Sequence, residues 1–212
     1  VIRYDRNWNK TGTAHITGIA GDDFGQVRYP FDYGCVEMAE INGVLYIATG
    51  HEGYVDDSVG QGHQGLLVIA VKQSSMTGEI IENDLWHSFA QYVKTKDNNL
   101  YLLEQSEGSR ATKLSRYDTV GDKWDWIYVY QYGGSRTSAW AVPCYASVDA
   151  IEVSGDSVLC LGSSIDQTKY DKASEEDLPM NIYLTVTPLN DFTEKATKVI
   201  SLTNYTEKGK SF

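Results

Sequence analysis

Side chains able to do chemistry are densest in one stretch, Gly50-His51-Glu52-Gly53-Tyr54-Val55-Asp56-Asp57-Ser58-Val59-Gly60-Gln61-Gly62-His63-Gln64-Gly65. It carries two of the 4 histidines, three carboxylates and five of the 19 glycines. Imidazole and carboxylate together can hold a divalent ion, the hard oxygens favouring calcium and the imidazole favouring zinc or nickel. The adjacent pair Asp56-Asp57 lacks the alternating ligand spacing of a calcium loop, so the identity of any metal stays open. No other cofactor is expected. The plainer reading is a glycine-rich surface loop, between a second and a third strand, whose polar groups bond its own backbone. His51, Asp56, Asp57, His63 and Gln64 are the candidate ligand-binding residues here.

A second set, His87, Gln91, Glu104, Gln105, Glu107 and Arg110, brackets two adjacent predicted strands. Glu104 leaves the apolar run Leu100-Tyr101-Leu102-Leu103 and should emerge at a strand end near Arg110. Glu and Arg at a strand end can recognise a polar ligand through charge-assisted hydrogen bonds, and a Glu with a raised pKa can serve as a general acid. Glycosidase chemistry needs a second carboxylate at a set distance. A structural role, tying neighbouring sheets together through backbone groups, competes with both readings. His87, Glu104 and Arg110 complete the candidate binding residues. Tyr54, Trp86, Trp124, Trp126, Tyr130, Tyr132 and Trp140 offer faces on which sugar rings could stack, although core packing uses the same residue types. Neither a Gly-x-Ser-x-Gly elbow nor a phosphate-binding glycine loop occurs.

Composition narrows the field. The 212 residues carry 18 basic against 29 acidic side chains, a net charge of −11, which disfavours nucleic acid and anionic membrane surfaces as partners. Hydrophobic residues at 42% and charged residues at 22% are those of a chain with a packed core. No apolar run reaches the roughly 18 to 20 residues of a membrane-spanning helix, so membrane insertion is not expected. Cys35, Cys144 and Cys160 show no metal-ligand spacing. Cys160 lies in Val158-Leu159-Cys160-Leu161 and reads as a small buried hydrophobe, while Cys35 and Cys144 are the pair considered for a disulfide.

The elements that would position these residues recur. Glu37 to Thr49, Phe89 to Leu103 and Val148 to Leu161 share one template: an alternating strand, a tight polar turn and a short apolar strand. Asn42-Gly43, Asp97-Asn98-Asn99 and Ser154-Gly155-Asp156 supply the turns, because Asn, Asp and Gly tolerate positive φ. Taking Leu45, Leu100 and Leu159 as equivalent gives a period in the fifties. Third strands are expected at Leu66–Lys72, Ala111–Asp118 and Asn181–Thr187, and fourth strands at Asp125–Gln131 and Thr197–Leu202. Ile2-Arg3-Tyr4-Asp5 matches Ser115-Arg116-Tyr117-Asp118, so the chain begins on a third strand. The expected fold class is all-β, a β-propeller fragment of about 3.5 four-stranded antiparallel blades. The units are a half blade and its connection at 1–34 and blades at 35–86, 87–143 and 144–212.

Three segments carry a family resemblance: Gly62-His63-Gln64-Gly65 leading into Leu66-Leu67-Val68-Ile69, then Trp86-His87-Ser88-Phe89-Ala90-Gln91-Tyr92-Val93, and Val199-Ile200-Ser201-Leu202-Thr203-Asn204-Tyr205. They resemble the propeller-like domains of bacterial secreted and cell-surface proteins. Kelch and sialidase signatures do not recur, and Ser115 to Trp124 departs from an Asp-box by one residue on each side of Asp118. The resemblance implies a non-catalytic binding or structural module of an extracellular or cell-surface bacterial protein, a glycan or a protein being the ligand it could take. A carbohydrate-active enzyme with paired carboxylates is the rival. Three and a half blades cannot close a ring, so the remainder of the same polypeptide or a second chain is expected to complete it. The strand-like start at Val1 and the ending at Phe212 lead to the same expectation, a chain excised from something longer.

Overall fold

The computed structural model describes residues 1–16, 29–30, 35–56, 61–84, 88–106, 110–131, 146–165 and 179–207, and among these there is no helix. Strands β1 (Ile2–Tyr4) and β2 (Lys10–Thr13) make a two-stranded first sheet. The second sheet contains β3 (Tyr29–Pro30), β4 (Val36–Ile41), β5 (Val44–Asp56), β6 (Gln61–Lys72) and β7 (Thr77–Asn83). The third contains β8 (Ser88–Lys96), β9 (Asn99–Ser106), β10 (Ala111–Asp118) and β11 (Lys123–Gln131). The fourth contains β12 (Ala146–Ser154), β13 (Ser157–Ile165), β14 (Met180–Pro188) and β15 (Lys198–Ser201). The fold is all-β, every pairing is antiparallel, and from β4 onward neighbours in sequence are neighbours in the sheet except across the breaks between sheets.

The hairpins close where turn chemistry permits. Asn42 and Gly43 both adopt left-handed backbone, φ 52 and 80, between the closing pair Ile41 and Val44. Asp97 and Gly155 do the same, φ 53 and 55, in the corresponding turns of the third and fourth sheets. Asp5 and Asp118 play one role two repeats apart. Asp5 accepts the amides of Asn7 and Asn9, and Asp118 accepts that of Val120, so each carboxylate caps the turn into the strand that follows. Asp118 thus belongs to an ordinary turn.

The register corrects one equivalence. The closing pairs Lys96 with Asn99 and Ser154 with Ser157 place Val158, not Leu159, at the position of Leu45 and Leu100. Leu159 faces the other way. A second correction concerns the stretch from Gly50 to Gly65, whose described residues, 50–56 and 61–65, are strand and not loop. β5 and β6 stay paired through His51 with Gly65, Tyr54 with His63 and Asp56 with Gln61, and Gly53 is the extra residue of a bulge. β5 outruns β4, whose first pair is Val36 with Thr49. β3 then takes the vacant edge, pairing Tyr29 with Glu52 and Pro30 with His51, an edge position where proline is permitted.

Packing explains why the middle strands are apolar without alternation. Along β6, Leu67, Ile69 and Val71 pack with Ala14 and Val1 toward the first sheet, while Leu66, Val68 and Ala70 pack toward the third. Along β9, Leu100 and Leu102 face the second sheet, while Tyr101 and Leu103 face Val148, Ile151 and Val158 of the fourth. The four sheets therefore stack face to face, and each fully buried leucine contributes about 1.5–3 kcal/mol. First strands lie side by side, β4 along β8 and β8 along β12. At the far side of the stack, one face of the fourth sheet carries Leu159, Leu161, Leu184, Val186 and Ile200 with no further sheet against it among the described residues, Ile200 being 44% exposed.

Candidate functional site

The two ends of the stack differ in chemistry. At one end lie the tight hairpin turns. Toward the other, where β5 meets β6, β7 leads to β8 and β9 meets β10, buried polar side chains collect: Thr49, His51, Gln64, Gln91, Glu104, Ser106, Arg110 and Thr112. Burying so many polar groups requires partners for them.

Alternation sorts these groups between faces. Glu104 pairs with Lys113 across β9 and β10 and with Gln91 across β8, so all three point toward the second sheet. Lys113 Nζ lies 2.8 Å from Glu104 Oε1 and 3.0 Å from Asp84 Oδ2. Asp84 also accepts the Leu66 amide through Oδ1 at 3.1 Å, which fixes it beside the middle of β6. The ammonium thus joins a fully buried carboxylate of its own sheet to a carboxylate of the neighbouring one. Burial alone would lower the Lys113 pKa, but Glu104 and Asp84 outweigh it and hold it above the ordinary lysine value.

Beyond this ion group the second and third sheets splay into a cleft of about 540 Å³. Leu66, Glu82, Asp84, Lys113, Trp126 and Tyr128 are among the residues around it. Trp124, Trp126 and Tyr128 alternate along β11 opposite Tyr117, Ser115 and Lys113, so they share one face. Trp124 stacks on Tyr117 at 4.7 Å and belongs to the core. Trp126 is 54% exposed, with Lys113 Nζ 5.8 Å from its ring centre and the Tyr128 ring at 5.2 Å. The Glu82 pKa is raised, first by burial and then by the charge of Asp84. Among the described residues Glu82 has no ion-pair partner within 4.0 Å.

His51 occupies the opposite face of the second sheet from Gln64. It is fully buried, beside Asn83 and the backbone of Asp84, and neither ring nitrogen makes a well-formed hydrogen bond. Burial lowers its pKa more than the neighbouring oxygens and the Asp84 charge raise it, so its neutral form is favoured. Gln64 lies on the same side of β6 as Leu66, toward the third sheet and Glu104. Arg110, also buried, opens β10 with φ 52. Asp57 and His87 lie outside the described residues, as do the side chains of Asp56 and His63. Cys35 is a free thiol that donates to Gln91 O at 3.1 Å, and Cys144 lies outside the described residues. Among the described residues no three His, Cys, Asp or Glu side chains group as metal ligands, and no helix is long and apolar enough to cross a membrane.

The next junction is built differently. Thr112 Oγ1 and Tyr183 OH lie 2.9 Å apart between the third and fourth sheets, and Tyr183 stacks on Tyr130 at 3.8 Å. Aromatic and hydroxyl groups thus occupy much of the space that the preceding junction leaves open, with a smaller pocket of about 190 Å³ beside Tyr130 and Tyr183. Glu82, Asp84 and Lys113 escaped the sequence reading because they come from two sheets and follow no motif. The one signal was the pair of carboxylates spaced two apart at the end of a strand. The chain matches no known protein-family model, and a search of curated proteins found no match.

Proposed function

We propose that the chain is a run of blades from a β-propeller, serving as a non-catalytic binding module of an extracellular or cell-surface bacterial protein, with a glycan as ligand. The observation carrying this reading is the cleft between the second and third sheets, where Trp126 stands half exposed beside Glu82, Asp84 and Lys113. An indole face complements the apolar face of a sugar ring, and fixed carboxylate and ammonium groups beside it meet hydroxyls. The propeller reading draws on meandering four-stranded sheets, stacked face to face, whose first strands lie side by side while later strands splay.

The apolar face of the fourth sheet, with no sheet against it among the described residues, is read as the seat of a further sheet, supplied by the remainder of the polypeptide or by a second chain. Size-exclusion mass of the isolated chain distinguishes self-association from monomer. The ligand reading is tested by a glycan array followed by titration of intrinsic tryptophan fluorescence. Binding that disappears in Trp126→Ala, with unchanged circular dichroism, supports it; binding untouched by that substitution overturns it.

Catalysis is the second reading, favoured by the raised pKa of Glu82 next to Asp84. Against it stands the commitment of Asp84 and Glu104 to one ammonium, with Glu104 closed off from solvent. Hydrolysis of a bound glycan, lost in Glu82→Gln, would restore it.

A further inference from the structure

The cleft between the second and third sheets is not electrically balanced. Glu82 and Asp84 bring two carboxylates to its wall and Lys113 one ammonium, and that ammonium is already held by Asp84 at 3.0 Å and, from behind the wall, by fully buried Glu104 at 2.8 Å. Glu82 is left on the wall, half-buried, with no cation of its own among the described residues. An anionic ligand would meet both this excess and the net charge of −11. A neutral sugar would cover Glu82 without offsetting its charge, a costly burial. A ligand ammonium offsets it and gains hydrogen bonds about twice as strong as neutral ones.

The aromatic wall strengthens the same preference. The half-exposed face of Trp126 already has one ammonium 5.8 Å from its centre, an arrangement in which the ring quadrupole attracts cations. Trp126 and Tyr128, two residues apart on one strand, form an edge suited to successive rings of an extended chain.

We propose that this cleft takes a glycan bearing protonated amino groups, an N-deacetylated hexosamine oligomer, with its amine between Glu82 and Trp126. The proposal rests on the glycan-binding reading above and names the class of sugar. It is tested by titrating the tryptophan fluorescence of the whole chain with a glucosamine hexamer, the N-acetylglucosamine hexamer, cellohexaose and a lysine hexapeptide.

The expected result is binding of the glucosamine hexamer at least about tenfold tighter than the two neutral hexamers. That advantage should be lost in Glu82→Gln and in 0.5 M salt. Trp126→Ala should weaken all three sugars. Equal affinity for acetylated and free-amine hexamers, or a preference that survives both Glu82→Gln and salt, overturns the proposal while leaving the glycan reading standing. Binding of the lysine peptide but of no sugar, or of nothing, overturns both. The salt series on the unsubstituted protein decides the matter if Glu82→Gln fails to fold.

Discussion

The side-chain amide of Asn42 donates a hydrogen bond of 3.1 Å to Oδ1 of Asn98, joining the first hairpin turn of one sheet to that of the next, 56 residues on. The same separation recurs at the other end, where the Gln91 amide and carbonyl both meet the Cys35 sulfur. Between them Glu37 accepts the Val93 amide and pairs with Lys94 at 3.1 Å. These contacts along the first strands and their turns thus join residues close to one repeat apart, as expected when like units stack in parallel register.

Asn42 does two jobs, holding a left-handed φ of 52 and supplying the bond to Asn98. Asn42→Val should cost about 1–2 kcal/mol from the backbone alone and about 0.5–1 more from the bond. Asn42→Gly should lose little beyond the bond. Urea midpoints of the two variants separate these contributions, and equal midpoints would show that the turn geometry contributes nothing.

Removing the ammonium at the cleft should be severe. Lys113→Met leaves fully buried Glu104 facing Asp84 without the cation between them, and stranding a buried charge costs about 3–5 kcal/mol. Adding Glu104→Gln to that variant should recover most of the loss. A double mutant no more stable than Lys113→Met would show that Glu104 draws its stability from elsewhere.

Much of the architecture was legible because turn residues and β-rich runs repeat. Asn42-Gly43 announces its hairpin, and the shared Arg-Tyr-Asp of β1 and β10 marks equivalent strands. Two features were hidden for a physical reason. The misplaced equivalence at Leu159 arose because β13 is apolar on both faces, so Val158-Leu159-Cys160-Leu161 shows no alternation and does not disclose its parity. β7, Thr77-Gly78-Glu79-Ile80-Ile81-Glu82-Asn83, went unread because an outermost strand is polar and lacks the apolar run of its neighbours. Of the candidate residues, Glu104 was found as a carboxylate ending an apolar run, yet its partners Lys113 and Asp84 meet it only through pairing and stacking.

His51 makes stability depend on acid. Its pKa lies below the usual 6.5, so the unfolded chain takes up this proton more readily than the folded one. The contribution is complete above about pH 6.5 and falls as the pH drops toward the folded value, by at most about 1.4 kcal/mol per pH unit. Urea midpoints at pH 7.5, 6.5 and 5.5 should fall for the parent protein and fall less for His51→Gln. Parallel slopes for the two would exclude His51 as the source.

Burial pushes the Cys160 thiol up to about 12, so it should be inert in the folded protein. In the variant Cys35→Ser/Cys144→Ser, iodoacetamide at pH 8 should leave the remaining thiol unmodified until urea is added. Mass spectrometry reads the outcome, and prompt native labelling would mean that the fourth sheet opens readily.

Gly162 is held to its identity by what surrounds it. A methyl group there would sit 2.6 Å from the Ser147 carbonyl and the same distance from the Tyr183 ring. Gly162→Ala should therefore displace Tyr183 from Thr112 and Tyr130, costing about 1–3 kcal/mol, with a change in near-ultraviolet circular dichroism. Retained melting temperature and unchanged spectra would refute the packing described for this junction.

Because the middle strands β6 and β9 divide their side chains between two neighbouring sheets, resistance to mechanical load should be quantised. A chain drawn out from its two ends in an optical trap would yield a whole sheet at a time. Each rupture would release close to one repeat of polypeptide, about 55 residues or roughly 190 Å of extended contour. The number of such steps would count the sheets that unfold as units.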